Sequence, residues 1–372
     1  MVLSLFFTRN ISLQTWIEKG LFEREKLIYE KHLVENTFST VNWFTYGIED
    51  YTLAKKLILE KRLNKNINVY PMPKIFNSKF GRLLYVFLLP IIYFSVLNKS
   101  DILKSNQMDG SFSAVIAKLI CRKKLIIRTG FTLSLFAKRM KKNRLIMFIV
   151  YLIEKISYGY ADQIIISSKF DKEYISRRYN LKESKISVLY NYIDTSKFKN
   201  NNTERNVNRI ITVGRLVEQK NLFNLIKAIS NTNYVLDIYG DGNLKNELVQ
   251  YSKQINANVN FLGIVSNDKL TNIFNEYSFF VLASEYEGMP KVLLESMACG
   301  CLCLGTNVMG INEIIKDQEN GYLSKSTKSE DLTNMFMNMK VTERMLSNAS
   351  LYIQKNFTIE RFFEKEKMIY EK

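Results

Sequence analysis

The sequence has few of the residues on which disulfide-bonded and zinc-binding proteins depend. Its 372 residues include four cysteines and one histidine. Cys299, Cys301 and Cys303 alternate along one predicted strand, a spacing that does not match zinc-binding motifs. We therefore expect small buried thiols in a reducing cytosol. His32 lies in a helical pattern and is predicted to be a surface residue rather than a catalyst.

Long apolar runs are also missing. Leu145–Ile153 has nine apolar residues, whereas a membrane-spanning helix needs about 20. The longer run Leu83–Leu97 is still short, and Pro90 interrupts it. The N-terminal segment MVLSLFFTRN has no basic start, so no signal peptide is expected. Because 47% of the residues are apolar, a disordered class is excluded.

Acidic residues are absent from one long stretch of a strongly basic chain. The net charge is +17, and Gly110–Ile153 contains ten Lys or Arg and no Asp or Glu. A basic cluster before the apolar run suits the inner face of an anionic membrane. The side chains predicted to face the membrane are Lys138, Arg139, Lys141, Lys142 and Arg144. The alternative is a core helix with a solvated basic start. No nucleic-acid partner is expected, because no DNA- or RNA-binding motif accompanies the cluster.

Strands and helices alternate along the chain, as is typical of doubly wound α/β domains. The strands predicted in the first half are Val2–Phe7, Val41–Tyr46, Asp101–Lys104, Lys124–Arg128, Gln163–Ser167 and Ile186–Leu189. Those predicted in the second half are Ile210–Val213, Val235–Tyr239, Val259–Leu262, Phe279–Ala283 and Cys301–Gly305. The length indicates two domains. We predict domains 1–198 and 209–356, a polar linker 199–208 and a terminal helix 357–372.

The stretch between residues 279 and 305 predicts a strand, an acidic loop, a helix and a second strand. Pro290 is predicted at the first helical position and Gly300 just after the last. Glu287 then lies in a loop at the carboxyl end of a strand, the edge where open α/β sheets bind ligands. Glu295 lies in the helix, whose N-terminus favours a phosphate. Two carboxylates beside an anion site suggest a ligand with both phosphate and hydroxyls, such as a nucleotide sugar.

Four motifs in this half resemble one known family. EGMPKVLLESMACG, in which Glu287 and Glu295 form Glu-x7-Glu, looks like the donor-site signature of family 4 retaining glycosyltransferases. Ile211–Ile229 resembles the family's Gly-Arg-Leu…Lys-Asn segment, Tyr239–Gly242 its Gly-x-Gly turn, and Asn307–Leu323 its closing segment. The resemblance implies the α/β GT-B fold, with two Rossmann-like domains facing across a cleft. The first would bind the acceptor and the second the nucleotide sugar, and the terminal helix would cross back to the first.

The resemblance also implies roles for particular residues. Arg215 and Lys220 would neutralise the donor diphosphate and the charge that grows on it as the sugar leaves. Glu295 would accept hydrogen bonds from ribose hydroxyls, while Glu287 would face the transferred sugar. The predicted catalytic residues are thus Glu287, Arg215 and Lys220. The predicted donor-binding residues are Gly214, Arg215, Lys220, Gly240, Gly288, Met289 and Glu295.

Simpler explanations exist for each of these charged residues. Arg215 and Lys220 are alternatively solvated loop charges. Glu295 is alternatively the surface partner of Lys291 four residues earlier. Glu287 is alternatively an ordinary acidic loop residue.

The first half departs from the commonest family pattern. It lacks the usual glycine pair after the first strand and the histidine often found in the active-site loop, where Thr129 precedes Gly130. Shorter segments look like a subgroup of bacterial glycosyltransferases tied to surface polysaccharide synthesis. This match suggests that Gly20, Asn106, Gln107, Arg128 and Thr129 line the acceptor side of the cleft. Structural roles in turns or at strand ends stay open for each.

The predicted activity is retaining, hexosyl-type transfer from a UDP- or GDP-sugar to a saccharide acceptor that is polyprenyl-linked. The product would be bacterial capsule or lipopolysaccharide. The chain has no Asp-x-Asp, the pair that holds the metal in sugar transferases of the other main fold, so neither metal nor cofactor is expected. The protein is expected in the cytoplasm, peripheral on the inner face of the plasma membrane. A non-catalytic subunit, and an epimerase or hydrolase on the same scaffold, are the alternatives.

Overall fold

The computed structural model describes residues 1–372. The chain divides into two compact units, Met1–Leu189 with Phe363–Lys372, and Tyr190–Phe362. Each unit is built on one parallel sheet with helices on its faces. The predicted α/β class with two Rossmann-like domains is confirmed.

The first unit contains a seven-stranded sheet of order β3-β2-β1-β4-β5-β6-β7. Its strands are β1 (Val2–Phe6), β2 (Thr40–Phe44), β3 (Ile67–Tyr70), β4 (Ile102–Ser105), β5 (Lys124–Thr129), β6 (Gln163–Ile166) and β7 (Ile186–Val188). Its helices are α1 (Leu13–Glu18), α2 (Phe22–Val34), α3 (Asp50–Leu59), α4 (Lys79–Ile92), α5 (Phe94–Leu97), α6 (Ser111–Cys121), α7 (Leu133–Arg139), α8 (Arg144–Tyr160) and α9 (Lys169–Tyr179). The strand order reverses between β1 and β4.

The second unit contains a six-stranded sheet of order β10-β9-β8-β11-β12-β13, which reverses between β8 and β11. Its strands are β8 (Asn206–Val213), β9 (Val235–Tyr239), β10 (Val259–Gly263), β11 (Tyr277–Leu282), β12 (Leu302–Thr306) and β13 (Tyr322–Ser324). Its helices are α10 (Leu222–Ile229), α11 (Lys245–Gln254), α12 (Asn267–Glu276), α13 (Lys291–Ala298), α14 (Ser329–Asn338) and α15 (Glu343–Asn356). The last helix, α16 (Ile359–Glu371), belongs to the second unit up to Phe362 and to the first unit from Phe363.

The second sheet is buried on both faces, which explains the continuous apolar runs of its strands. On β11, Phe280 and Leu282 pack into one hydrophobic cluster. Phe279 and Val281, which point to the other face, pack into a second cluster. The alternation of side chains along a strand thus supplies both cores from one segment.

All eleven predicted strands are present, and two further strands were not predicted. Both lie at sheet edges: β3 beside β2, and β13 beside β12. β3 shows alternating burial rather than a continuous apolar run, and β13 has three residues. The other two edge strands, β7 and β10, were predicted, so the edge position alone does not account for the omission. The polar segment 199–208 lies within the second unit, where Arg205 donates to the carbonyl oxygen of Tyr277 at 2.8 Å.

The prediction that His32 is a surface residue is wrong. His32 is fully buried, and its Nε2 lies 3.0 Å from Glu366 Oε2. Lys104 Nζ donates to Glu366 Oε1 and to the Tyr370 hydroxyl, both at 2.7 Å. Burial raises the pKa of Glu366, but Lys104 and His32 together hold that pKa well below its usual range. The partner of His32 is supplied by α16, so the local helical pattern did not reveal it.

The cysteines are buried and free, as predicted. Burial raises the pKa of Cys299 and of Cys303 to about 12. Both groups are therefore neutral thiols at physiological pH, consistent with a structural role.

None of the helices has the length and hydrophobicity needed to span a bilayer.

Candidate functional site

The reversal of strand order in the second unit brings two loops together. One loop follows β8 and contains Arg215 and Lys220, and the other follows β11 and contains Glu287. Lys220 Nζ lies 2.6 Å from Glu287 Oε1, so an ion pair joins the loops. Ligands of open α/β sheets bind at this kind of switch point, at the carboxyl ends of the strands.

The Glu287 carboxylate is held by neighbours as well as by Lys220. Ser284 Oγ donates to Glu287 Oε1 at 2.6 Å, and Gln219 Nε2 lies 3.4 Å from Oε2. Gln219 Nε2 also donates to the carbonyl oxygen of Tyr286 at 2.9 Å. Glu287 is 8% exposed. Because its oxygens are fixed on several sides, the carboxylate in turn fixes the position of the Lys220 ammonium.

The loop after β8 ends in a residue that ties it to the loop after β11. Asn221 has a φ of +53°, a left-handed conformation that asparagine tolerates. Its Nδ2 donates to the carbonyl oxygens of Ala283 at 3.1 Å and of Thr327 at 2.7 Å. Arg215 is exposed and lines a small cavity together with Lys220. The two cations therefore share a loop whose far end is anchored beside Glu287.

Glycines allow the backbone turns at this edge to lie close together. Gly240 has a φ of +148°, and a Cβ there would lie 1.8 Å from the carbonyl oxygen of Gly214. Gly310 has a φ of +83°, and a Cβ there would lie 2.3 Å from the carbonyl oxygen of Gly288. The turn after β9 therefore packs on the loop that carries Arg215, and the segment after β12 packs on the loop that carries Glu287. No other residue type fits either position.

Helix α13 begins one residue later than predicted. Pro290 has φ −73° and ψ 107°, so it caps the helix and Lys291 is the first helical residue. Gly300 follows the helix with a φ of +87°, as predicted. Glu295 is 3% exposed, so its interpretation as a surface ion-pair partner is wrong. The Lys291 ammonium lies 5.1 Å from the ring centroid of Tyr192.

Met289 takes part in the structure of the second unit through its side chain and its carbonyl. The side chain is 6% exposed and belongs to a hydrophobic cluster. The carbonyl oxygen accepts a hydrogen bond from Asn191 Nδ2 at 2.9 Å. Asn191 thus holds the last turn of the loop that contains Glu287.

In the first unit, three of the predicted acceptor-side residues lie together at the carboxyl ends of β4 and β5. Gln107 Oε1 accepts a hydrogen bond from the backbone N–H of Gly130 at 2.8 Å. Thr129 Oγ1 donates to the carbonyl oxygen of Phe131. The backbone N–H of Asn106 donates to the carbonyl oxygen of Phe6 at 2.9 Å. These contacts give Gln107 and Thr129 a role in shaping the turn that contains Gly130.

The other two predicted residues are placed differently. Arg128 is half-buried on β5. Gly20 follows α1 at the surface with a φ of +63°, and nothing lies within 4 Å of the position of a Cβ. Gly20 is therefore used for a left-handed turn.

Two buried carboxylates that were not predicted hold the loop after β5. Thr132 Oγ1 donates to Asp171 Oδ1 at 2.7 Å, and the backbone N–H of Ser134 donates to Glu154 Oε1 at 3.1 Å. Burial raises the pKa of both carboxyls, although these hydrogen bonds oppose the effect. Glu154 belongs to α8 and Ser134 to the first turn of α7, so this hydrogen bond joins α8 to the helix that follows the loop.

The predicted membrane-facing residues lie at the turn between α7 and α8. Lys138, Lys141, Lys142 and Arg144 are exposed, and Arg139 is half-buried. The apolar run that follows is largely exposed: Leu145 is 67% and Phe148 58% exposed. The alternative interpretation as a core helix is therefore wrong.

Two protein-family models match this chain. "Glycosyl transferases group 1" matches residues 194–352, and "Glycosyltransferase Family 4" matches residues 44–197. The chain belongs to the family 4 glycosyltransferases.

Curated relatives of this glycosyltransferase include enzymes named for lipid-linked substrates. A Campylobacter jejuni N-acetylgalactosaminyltransferase, named for a diphospho-undecaprenol substrate, is 29% identical over 269 residues, covering 69% of this chain and 71% of the relative. An Escherichia coli protein named UDP-Gal:alpha-D-GlcNAc-diphosphoundecaprenol alpha-1,3-galactosyltransferase is 26% identical over 303 residues, covering 74% and 78%.

Solved structures share the fold of this glycosyltransferase. Anabaena Alr3699/HepE, in complex with UDP and glucose, superposes with a TM-score of 0.75 at 17% identity, covering 100% of this chain and 99% of that chain. The lipopolysaccharide outer core galactosyltransferase WaaB superposes with a TM-score of 0.71 at 19% identity, covering 100% of both chains. The predicted GT-B fold is thus confirmed.

Some site residues of this glycosyltransferase were not predicted, although their positions in the sequence carried an indirect signal. Gln219 directly precedes the predicted Lys220, and Ser284 stands three residues before Glu287. Both are short polar side chains in loops at strand ends, where functional side chains concentrate. Asn221 directly follows Lys220 in the same motif. Asn191 had no comparable signal, because its partner is a backbone carbonyl far along the chain.

Proposed function

We propose that this glycosyltransferase moves a sugar, with retention of anomeric configuration, from a UDP- or GDP-sugar to a polyprenyl-linked saccharide. The Lys220–Glu287 ion pair at the switch point of the second unit carries the proposal. The pair lies at the sheet edge where doubly wound domains bind nucleotides. Its lysine is an oriented cation that can pair with a diphosphate.

The names of the curated relatives support the acceptor class. Both the C. jejuni and the E. coli relatives are named for substrates on a diphosphate-linked undecaprenol. On this basis the product belongs to the synthesis of bacterial cell-surface polysaccharide.

The residues of the second unit would perform the following step. The bond between the sugar C1 and the diphosphate oxygen breaks, and an acceptor hydroxyl oxygen bonds to C1 on the same face. The hydroxyl proton passes to the departing phosphate oxygen, and the product is a nucleoside diphosphate. Lys220 and Arg215 stabilise the negative charge on that leaving group. Glu287 orients Lys220, and the buried Glu295 on α13 accepts hydrogen bonds from the ribose.

The experiment combines the purified chain with UDP- and GDP-sugars and a diphosphoundecaprenyl saccharide. Mass spectrometry detects the elongated lipid, and NMR determines its anomeric configuration. Transfer with retention is expected, and an inverted product contradicts the proposed mechanism. Conversion of the donor to its epimer without transfer identifies an epimerase instead. Nucleotide binding without turnover identifies a non-catalytic subunit.

The proposal includes turnover without a bound metal. EDTA is therefore expected to leave the transfer rate unchanged. Loss of the rate on chelation, with recovery on addition of Mg²⁺ or Mn²⁺, contradicts this part of the proposal.

A further inference from the structure

Helix α8 presents a stripe of apolar side chains to solvent and buries two polar side chains, Glu154 and Ser157, against the protein. The outward stripe is exposed by 67% at Leu145, 58% at Phe148, 47% at Ile149, 38% at Leu152 and 37% at Ile156. These positions follow the three- and four-residue spacing of one helix face. A surface helix of a soluble domain normally has the reverse arrangement.

The inward side of α8 explains why this orientation is fixed. Glu154 is fully buried and accepts hydrogen bonds from the backbone N–H of Ser134 and from the Tyr179 hydroxyl. Ser157 is also fully buried, and its hydroxyl lies 2.6 Å from that of Ser111 on α6. Rotating α8 to hide its apolar stripe would break these buried hydrogen bonds.

Helix α4 repeats the exposed apolar stripe. Its outward residues are exposed by 75% at Phe80, 45% at Leu83, 40% at Leu84, 45% at Phe87 and 60% at Ile91. Helices α4 and α8 therefore both expose an apolar stripe, although they come from separate parts of the sequence.

Helix α6 lies between α4 and α8 and contacts both. Ser113 Oγ of α6 donates to the carbonyl oxygen of Val86 on α4 at 2.7 Å, and Ser111 of α6 contacts Ser157 on α8. Leu119, near the end of α6, is 55% exposed. The three helices thus form one layer on the sheet of the first unit. We call the exposed apolar residues of α4 and α8, together with Leu119, the apolar surface.

The exposed charges on α4, α6 and α8 have one sign. Residues 61–100 and 110–153 contain no Asp or Glu, and the one carboxylate of α8, Glu154, is buried. Lys79 begins α4, and the exposed Lys141, Lys142 and Arg144 lie at the start of α8. Apolar side chains beside cations, with no exposed carboxylate on these three helices, match the interface of an anionic bilayer.

We propose that the apolar surface binds the face of an anionic lipid bilayer, with α4 and α8 lying in the plane of the interface. Other partners fit less well. Nucleic acid would satisfy the cations and leave the apolar stripes in water. A second copy of this chain would place two basic surfaces against each other. The exposed side chains insert into the lipid, and the basic residues contact the headgroups.

Binding there would connect the membrane to the acceptor-side loop. Glu154 on the inner side of α8 holds Ser134, in the first turn of α7, which directly follows the loop that contains Gly130. This consequence rests on the proposed function, because it assumes that the loop meets a lipid-linked acceptor. Bilayer binding itself does not depend on it.

Vesicle flotation of the full chain tests the proposal. Vesicles of phosphatidylglycerol with phosphatidylcholine are expected to recover the protein, and phosphatidylcholine alone is expected to recover several-fold less. Replacing Phe80→Ser together with Phe148→Ser is expected to weaken binding to the anionic vesicles by at least about tenfold, because two inserted aromatic side chains are lost. Replacing Lys141→Glu together with Lys142→Glu is expected to weaken it by a similar factor and to reduce its salt dependence.

Matched controls come from the second unit. Met337 and Leu351 are 66% and 60% exposed, and Met337→Ser with Leu351→Ser is expected to leave binding unchanged. Lys253 and Lys355 are also exposed, and Lys253→Glu with Lys355→Glu serves as the charge control. Circular dichroism and unchanged nucleotide binding establish that each variant is folded.

Several outcomes overturn the proposal: no recovery with anionic vesicles, equal recovery with both compositions, or equal losses in the controls. It is also overturned if sedimentation shows a dimer that Phe80→Ser with Phe148→Ser dissociates, without vesicle binding. Transfer to a short-chain soluble acceptor separates the two proposals. A chain that transfers the sugar and does not bind vesicles refutes membrane binding alone, whereas vesicle binding without transfer refutes the function alone.

Discussion

The ammonium group of Lys220 is held in position by Glu287 and by the residues that fix Glu287. A lysine has a flexible stem and loses conformational entropy when it is fixed. Glu287 supplies the opposing charge at 2.6 Å, and Ser284 and Gln219 fix Glu287. At the residue scale the site is thus an oriented cation supported by a polar network.

Replacing Lys220→Ala removes the oriented charge. We expect kcat to fall by about 10²–10³, the range found when one preorganised donor to a developing anion is lost. Steady-state kinetics with the preferred nucleotide sugar measure the change. Lys227→Ala is the control, because Lys227 is 53% exposed and pairs with Glu330 on the surface. Equal rates for the two variants contradict the assigned role.

Gly240 is the position where backbone geometry leaves no room for a side chain. In Gly240→Ala the added methyl group would meet the carbonyl oxygen of Gly214, 1.8 Å away, in a backbone region that other residues avoid. We expect a loss of about 3 kcal/mol or more in unfolding free energy, since the strain alone costs about 1–3 kcal/mol. Calorimetry and nucleotide titration measure both stability and binding.

A matched substitution checks the argument about Gly240. Gly159 lies in α8 with nothing within 4 Å of the position of a Cβ. Gly159→Ala is expected to stabilise the first unit by about 0.5–1 kcal/mol, because glycine is a poor helix former. Similar destabilisation by both alanines would show that the close approach to Gly214 is unimportant.

At the scale of elements, α16 is attached to the first unit by charge as well as by packing. The cluster of Lys104, Glu366, Tyr370 and His32 is fully or almost fully buried. A buried ion pair contributes little compared with an apolar substitute, but removing one partner leaves an uncompensated charge. The attachment of α16 is therefore sensitive to single substitutions.

Replacing Glu366→Gln is expected to lower the unfolding free energy at neutral pH by about 3–5 kcal/mol, because Lys104 loses its partner. The pH dependence has a defined sign. The pKa of Glu366 is held below its usual range in the folded protein, so its contribution is present above about pH 4.3, the unfolded value. The contribution disappears as the pH falls from there towards the folded pKa.

Urea titrations across this acidic window measure the effect. The wild type is expected to lose stability more steeply than Glu366→Gln as the pH falls. Glu364 lies on the same helix and is exposed, so Glu364→Gln serves as the control. Parallel pH profiles for wild type and Glu366→Gln would exclude the ionised pair.

At the scale of the whole molecule, the last ten residues belong to the unit formed by the first half of the chain. Phe363–Lys372 groups with Met1–Leu189. A chain that ends at Phe362 is expected to expose the surface beneath α16 and to leave Lys104 unpaired. The second unit keeps its own sheet and both of its hydrophobic clusters.

Limited proteolysis tests this asymmetry. We expect faster cleavage within the first unit of the truncated chain, whereas the second unit stays resistant and continues to bind the nucleotide. Removing Glu371 and Lys372 alone, both exposed, is the control and is expected to change little. Equal resistance of the full-length chain and the chain ending at Phe362 would contradict the structural role of α16.

Local sequence was sufficient for the central strands and for the motif loops. A strand covered on both faces must be apolar along its whole length, as Phe279–Leu282 is. The local pattern also placed Glu287 at a strand end, whereas Gly240 and Lys220 were predicted through the resemblance of their motifs to the family. The edge strands β3 and β13 were not predicted, although the edge strands β7 and β10 were.

The sequence by itself determined the α/β class and the order of the central strands along the chain, since each depends on neighbours within a few positions. Only the tertiary structure decided that His32 is buried against Glu366, that Ser284 and Gln219 hold Glu287, and that α8 turns its apolar side outward. These features depend on which distant segment covers a residue, and a helical or strand pattern specifies a face without specifying its partner.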